Sequence, residues 1–203
     1  LYNIENDRAQ STDVGSLFPE IKEQLLAAKE DYINRVVGEL PETDTRTFPL
    51  GHPESKITQI PARDGVAHGN ILRSNRWPNC SFFTNWTSLE DKITWEVEVM
   101  QPGDYQVTLY YTCKPGNEGS EFVLSHGTRT LNGRIEVAHN PPLTGMENDR
   151  VERPESYVND FKPLNLGTMS LDKGLDQLTL QATTMPGTEV MDVRLLLFEK
   201  VSP

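Results

Sequence analysis

Hydrophobic and polar positions change period along this chain. From Pro19 the apolar residues Ile21, Leu25, Ala28, Tyr32 and Val36 recur at steps of three and four, with Leu26, Ile33 and Val37 widening the stripe. Pro19 suits a first helical turn, where its missing N–H costs nothing. Glu20 and Glu23 suit the positive end of the helix dipole. Gly38 and Pro41 mark the end. The pattern predicts one helix of about 19 residues, which cannot bury its stripe alone. Before it, Leu1 to Ser16 is polar and reads as loop and turn.

Beyond Ile57 the period becomes two. Ile93, Trp95, Val97 and Val99 alternate with Thr94, Glu96 and Glu98, the pattern of a strand with one wet face. Gln101 to Asp104 reads as a turn, and Tyr105, Val107, Leu109 and Tyr111 alternate after it. These two segments are expected to pair as an antiparallel hairpin. Further strands are expected over Ser81–Trp86, Glu121–Ser125, Thr128–Val137, Pro163–Met169, Gln177–Ala182 and Val190–Lys200. Eight short strands with turns between them predict a mainly β chain, a β-sandwich or jelly roll preceded by one N-terminal α-helix. The expected division is a helical segment over 1–40, a connector over 41–56 and a β module over 57–203. Four prolines between Pro41 and Pro61 give the connector its extended character. A long stretch from Ala138 to Asp160 lacks strand pattern and reads as a functional or disordered loop.

Composition narrows the function. The 203 residues are 36% apolar and 24% charged, with a net charge of −11. That balance excludes a whole-molecule field attractive to nucleic acid, which needs an excess of Lys and Arg. No run of 18 apolar residues is present, so no membrane span is expected. The chain opens on Leu1 without a signal peptide, which suggests a processed or excised piece. Cys80 and Cys113 either pair, as in a secreted protein, or stay separate buried thiols.

No nucleophile, zinc or phosphate-loop motif is present. His52, His68, His126 and His139 lie far apart in turn-like sequence and read as surface histidines. Glu147, Asp149, Glu152, Glu155 and Asp160 carry the oxygens that Ca²⁺ prefers, but Arg150, Arg153 and Lys162 interleave with them. An internally paired loop with no metal is the expectation. The aromatic residues carry more. Trp77 and Trp86 bracket Asn79 and Asn85, and Arg76 precedes them. Flat rings beside amide and guanidinium groups suit a sugar: the ring covers the C–H face, and the polar groups take hydroxyls or sulfates. Trp86 also fits the core of a strand, as Trp95 does. Asp149 and Arg150 are expected to close over the site from the long loop.

Two resemblances follow. Leu1-Tyr-Asn-Ile-Glu-Asn-Asp7, Thr12-Asp-Val14, Pro19-Glu-Ile21 and Leu25 resemble the C-terminal end of formylglycine-dependent sulfatases, where a turn leads into a helix. The Cys-x-Pro-x-Arg signature of that family is absent: Cys113-Lys-Pro-Gly-Asn117 ends in asparagine. The resemblance thus implies a non-catalytic C-terminal region of a periplasmic or secreted sulfatase-like enzyme, its catalytic domain lying upstream as a partner. In the β module, Ile60-Pro-Ala-Arg-Asp-Gly65, Lys92–Val99, Pro102–Tyr111, Leu171–Gly174, Leu178–Leu180 and Val190–Val193 resemble the corresponding strands of family-6 and family-35 carbohydrate-binding modules, galactose-binding-like in fold. It implies a glycan ligand or a docked catalytic domain. Those modules often hold a structural Ca²⁺ between an early Glu and the Asp of the last strand. Here Arg63 replaces the Glu while Asp192 remains, which implies an Arg63–Asp192 ion pair in place of the metal. The acidic charge argues against avid binding of highly sulfated polymers and favours a small or lightly charged glycan.

Overall fold

The computed structural model describes residues 1–41, 43, 45–77, 81–152, 157 and 159–201. These fall into two compact units, Leu1–Thr45 and Arg46–Pro203.

The first unit is a turn-rich segment followed by helix α1, Pro19–Tyr32, which continues as a π-helical turn over Ile33–Val37. The span matches the periodic stripe. The leading segment is tied locally: the carboxylate of Asp7 accepts from the backbone N–H groups of Ser11 and Thr12. The Asp13 carboxylate holds the Leu1 ammonium at 2.9 Å and the Gly15 N–H at 2.8 Å. No residue of α1 is buried within its own unit.

The second unit is a two-sheet sandwich. One sheet holds β1 (Phe48–Leu50), β6 (Lys92–Val99), β11 (Gly174–Thr184), β8 (Glu121–His126) and β9 (Arg129–Arg134) in that spatial order, and β3 (Val66–His68) also pairs with β6. The other holds β10 (Lys162–Leu171), β7 (Gly103–Thr112), β12 (Asp192–Lys200), β5 (Phe83–Thr84) and β4 (Leu72–Arg73), and β2 (Ile57–Pro61) also pairs with β12. Among the described residues every strand pairing is antiparallel except β1 with β6. The mainly β, jelly-roll reading of the alternation holds.

Two expectations are corrected. The segments around Ile93–Val99 and Tyr105–Tyr111 do not form a hairpin. They lie in opposite sheets, β6 beside β1, β3 and β11, and β7 between β10 and β12. The chain crosses between layers at Met100–Pro102, so the alternating faces of both strands meet in the core rather than side by side. Ile93, Trp95, Val97 and Val99 from one layer and Tyr105, Val107, Leu109 and Tyr111 from the other are all buried there. Alternation reports which face is inward, and it is the same for a hairpin and for a layer crossing. The second correction is in the stretch expected as a connector, which contains β1, locked in register with Val97–Val99. Leu50 of that strand is fully buried.

Candidate functional site

The β4–β5 hairpin positions the aromatic candidates. Leu72 faces Thr84 and Arg73 faces Phe83. The hairpin closes with the Ser74 N–H donating to the Phe82 carbonyl at 2.8 Å and the Phe82 N–H donating to Ser74 Oγ at 3.0 Å. The loop beyond carries Arg76 and Trp77. Its turn is set by the Trp77 N–H, which donates to Asn75 Oδ1 at 2.9 Å. The Arg76 guanidinium lies 4.4 Å from the centre of the Trp77 ring. The Trp77 side keeps 39% of its surface exposed. An apolar ring and a cation with free donors thus form one platform on an exposed loop.

The long loop comes to the same hairpin. Phe82, at the base of the Arg76–Trp77 loop, packs edge-on against Phe161 with ring centres 5.2 Å apart. Arg194 donates to the Ser81 carbonyl from β12. Upstream, Cys113 and His139 exchange backbone hydrogen bonds of 2.8 and 2.9 Å, and the Tyr111 hydroxyl donates to the Val137 carbonyl. Tyr157 is buried and donates its hydroxyl to Asp149 Oδ2 at 2.9 Å. Asp149 is therefore held by its own loop, while Arg150 is exposed.

The other candidates are dispersed. Asn79 and Cys80, and with Cys80 the expected choice between a Cys80–Cys113 bridge and two separate thiols, lie outside the described residues. Cys113 is a buried thiol, pushed up to about 11 by burial and by the nearby carboxylates of Glu118, Asp192 and Glu189. Asn85 sits at the open end of the hairpin, opposite its closing loop, in a left-handed conformation with φ of 60°. Its side-chain amide donates to the Asn70 carbonyl at 2.7 Å, and the Asn70 N–H in turn donates to Asp91 Oδ1. Asp91 is 1% exposed and accepts three further-fixed backbone donors in all, those of Asn70, Thr87 and Ser88. Asn85 thus belongs to a scaffold knot.

Trp86 is corrected: at 1% exposure it is a core residue rather than part of an exposed sugar surface. Its backbone carbonyl accepts from Val190, which fixes it under the sheet beginning at β12. The step from Phe83 through Thr84 to Asn85 ends the strand, and the left-handed Asn85 turns the next side chain inward. His126 is corrected as well, being 7% exposed rather than on the surface. It alternates inward with Phe122 and Leu124 along β8, a period-two signal legible in the sequence but missed.

The Arg63–Asp192 pair does not form. Arg63 lies in a short 3₁₀ turn, Ala62–Asp64, where its Nε is 3.4 Å from Asp64. Asp192 instead accepts from the Thr112 hydroxyl at 3.1 Å, and burial raises its carboxyl above the usual range while Thr84 and Thr112 pull it back. Around Asp192 stand the hydroxyls of Thr84 and Thr112, the Lys114 ammonium and the Glu189 carboxylate with which Lys114 pairs; a cation here would meet that ammonium, which does not suit Ca²⁺. Among the described residues no three His, Cys, Asp or Glu side chains converge on a common point.

No family model and no curated protein matches this chain. Solved structures do. The Podospora anserina GH26-CBM35 β-(1,4)-mannanase aligns at 11% identity and TM-score 0.50, over 73% of this chain and 28% of that one. A Bacillus thuringiensis Cry1Da tryptic core variant aligns at 13% identity and TM-score 0.52, over 77% of this chain and 25% of that one. A family 35 carbohydrate binding module from Clostridium thermocellum aligns at 11% identity and TM-score 0.49, over 72% of this chain and all of that module. The chain spans about a quarter of the first two proteins. At these identities the likeness concerns the fold, a jelly-roll sandwich shared by proteins of different activity.

Proposed function

We propose that the Arg46–Pro203 unit is a non-catalytic glycan-binding module whose contact surface is the Arg76–Trp77 platform, bordered by the loop that runs to Phe161. The observation that carries this reading is the guanidinium stacked 4.4 Å from an exposed indole on a loop anchored to the sheet. The ring supplies the apolar face that a pyranose needs, and the guanidinium supplies directed donors for hydroxyl, carboxylate or sulfate. The likeness in fold to the GH26-CBM35 mannanase, whose name includes a CBM35 part, supports it. With Trp86 and Asn85 committed to the scaffold, ligand contact falls to Arg76, Trp77 and the exposed Arg150.

The same proposal places the module in a periplasmic or secreted sulfatase-like parent. Support comes from the Leu1–Leu25 string and from its observed turn-then-helix conformation. Calorimetric titration of the chain with neutral, uronic and sulfated oligosaccharides tests the ligand. Saturable binding that is weakened in Trp77→Ala supports the platform. Silence across the panel leaves the sandwich a structural cap.

A further inference from the structure

A cavity lies at the end of the sandwich away from the Arg76–Trp77 platform. Two turns enclose it: the one joining β8 to β9 at Gly127-Thr128, and the one joining β10 to β11 at Asp172-Lys173. Its volume is about 310 Å³, at the small end of the range for ligand pockets. Strand β7 measures its distance from the Trp77 loop. Gly103 pairs with Leu171 at the cavity end, and Thr112 pairs with Asp192 beside β5. Nine residue steps separate those ends, about 30 Å at the usual strand rise.

The cavity wall mixes signs. Arg129 and Lys173 face Asp172 and Asp176. Arg129 and Asp172 approach only to 3.6 Å and stay largely exposed, so both keep unused hydrogen-bonding capacity. Asp176 is held in place: one oxygen accepts from the Gln177 N–H at 2.7 Å, and the other lies where a Cβ on Gly127 would come within 2.8 Å. Gly127 has φ of 56° and Gly174 φ of 140°, so both turns adopt conformations that side chains resist. Leu175 adds an apolar surface that is 69% exposed. His126 closes the inner end. It is 7% exposed, it lines the cavity, and its Nε2 has no hydrogen-bond partner among the described residues. A buried ring nitrogen without a partner costs stability unless something enters to meet it.

The ligand class follows from the balance. An anion would meet two carboxylates, and a metal cation would meet a guanidinium and an ammonium. A neutral molecule with several hydroxyls uses every group: it donates to Asp172 and Asp176, accepts from Arg129 and Lys173, and satisfies His126. We propose that this cavity binds one neutral sugar ring, with Leu175 against its C–H face. The site is independent of the Arg76–Trp77 platform and does not rest on it.

The test is a two-dimensional NMR titration of the full chain with glucose, galactose and mannose, then with maltose and cellobiose, and with glycine and glucuronate as charged comparators. The His126 ring and the amides of Gly127 and Gly174 are expected to shift saturably with a neutral sugar. A free monosaccharide as ligand gives its strongest effect with the single sugars, and a chain end gives it with the disaccharides. Asp172→Asn, on an exposed turn where folding is spared, should weaken that binding about tenfold. The Trp77 indole signal reads the other site in the same sample. Shifts at Trp77 alone overturn the cavity proposal and leave the platform standing, and shifts at His126 alone do the reverse. Shifts at His126 with glycine or glucuronate only, or an unchanged affinity in Asp172→Asn, also overturn it.

Discussion

Replacing Trp77 by Ala isolates the contribution of the platform. The side chain of a tryptophan offers about 250 Å², and Trp77 keeps 39% exposure, so about 100 Å² is free to be covered by a ligand. Covering all of it at about 25 cal/mol per Å² contributes about 2.5 kcal/mol. A sugar stacked on one face leaves the ring edges wet, so about 1–2 kcal/mol is the expected loss, roughly 5- to 30-fold in Kd. Arg76→Ala removes an exposed cation–π contact of about 0.5–1 kcal/mol. It also removes the directed donors, so its effect should grow from neutral to uronic to sulfated ligands. Titration calorimetry reads Kd, and thermal unfolding of the same samples checks the fold. Both residues are exposed on a loop, so stability should change by no more than about 0.5 kcal/mol. A glycan that binds wild type and Trp77→Ala with equal Kd refutes the reasoning, because the free ring would then contribute nothing.

Three further outcomes follow from the scaffold. Trp86→Ala should cost about 3–5 kcal/mol in denaturant unfolding, as removal of a fully buried ring; a loss of glycan affinity with unchanged stability would contradict its core position. Asp91→Ala strands the N–H groups of Asn70, Thr87 and Ser88, costing about 1–3 kcal/mol for each donor that stays dry, and unfolding midpoints measure it. Asp192 has a folded-state pKa raised by burial, so its ionised form opposes folding. That cost is full above the raised value, fades as pH falls through it and vanishes below the ordinary 3.8. Asp192→Asn should therefore be more stable than wild type at neutral pH, by about 1.4 kcal/mol for each unit of elevation, and the gap should close near pH 4. A gap that is constant with pH would locate the effect elsewhere.

The chain's own pattern was enough for the class of fold and for the span of its helix. Pro19, Gly38 and the stripe between them act through neighbours three or four residues away, and the alternation in β6, β7, β8 and β12 acts through neighbours two away. Those are local rules, and a linear text carries them. The Arg76–Trp77 pairing was legible for the same reason, since adjacent residues on a short loop stay near each other whatever the sandwich does. Tertiary structure decided the rest. Whether β6 and β7 share a sheet depends on distant partners, β11 and β12, which take their edges, as in the pairs Gly174–Val99 and Lys200–Tyr105. Trp86 is core because Asn85 turns left-handed beside Asn70, and Asp192 meets Thr112 rather than Arg63 because β7 and β12 pair there while the Arg63 turn leaves the sheet. The cavity at His126 exists only because two turns some 45 residues apart in the chain end side by side, a consequence of strand order that no local pattern encodes.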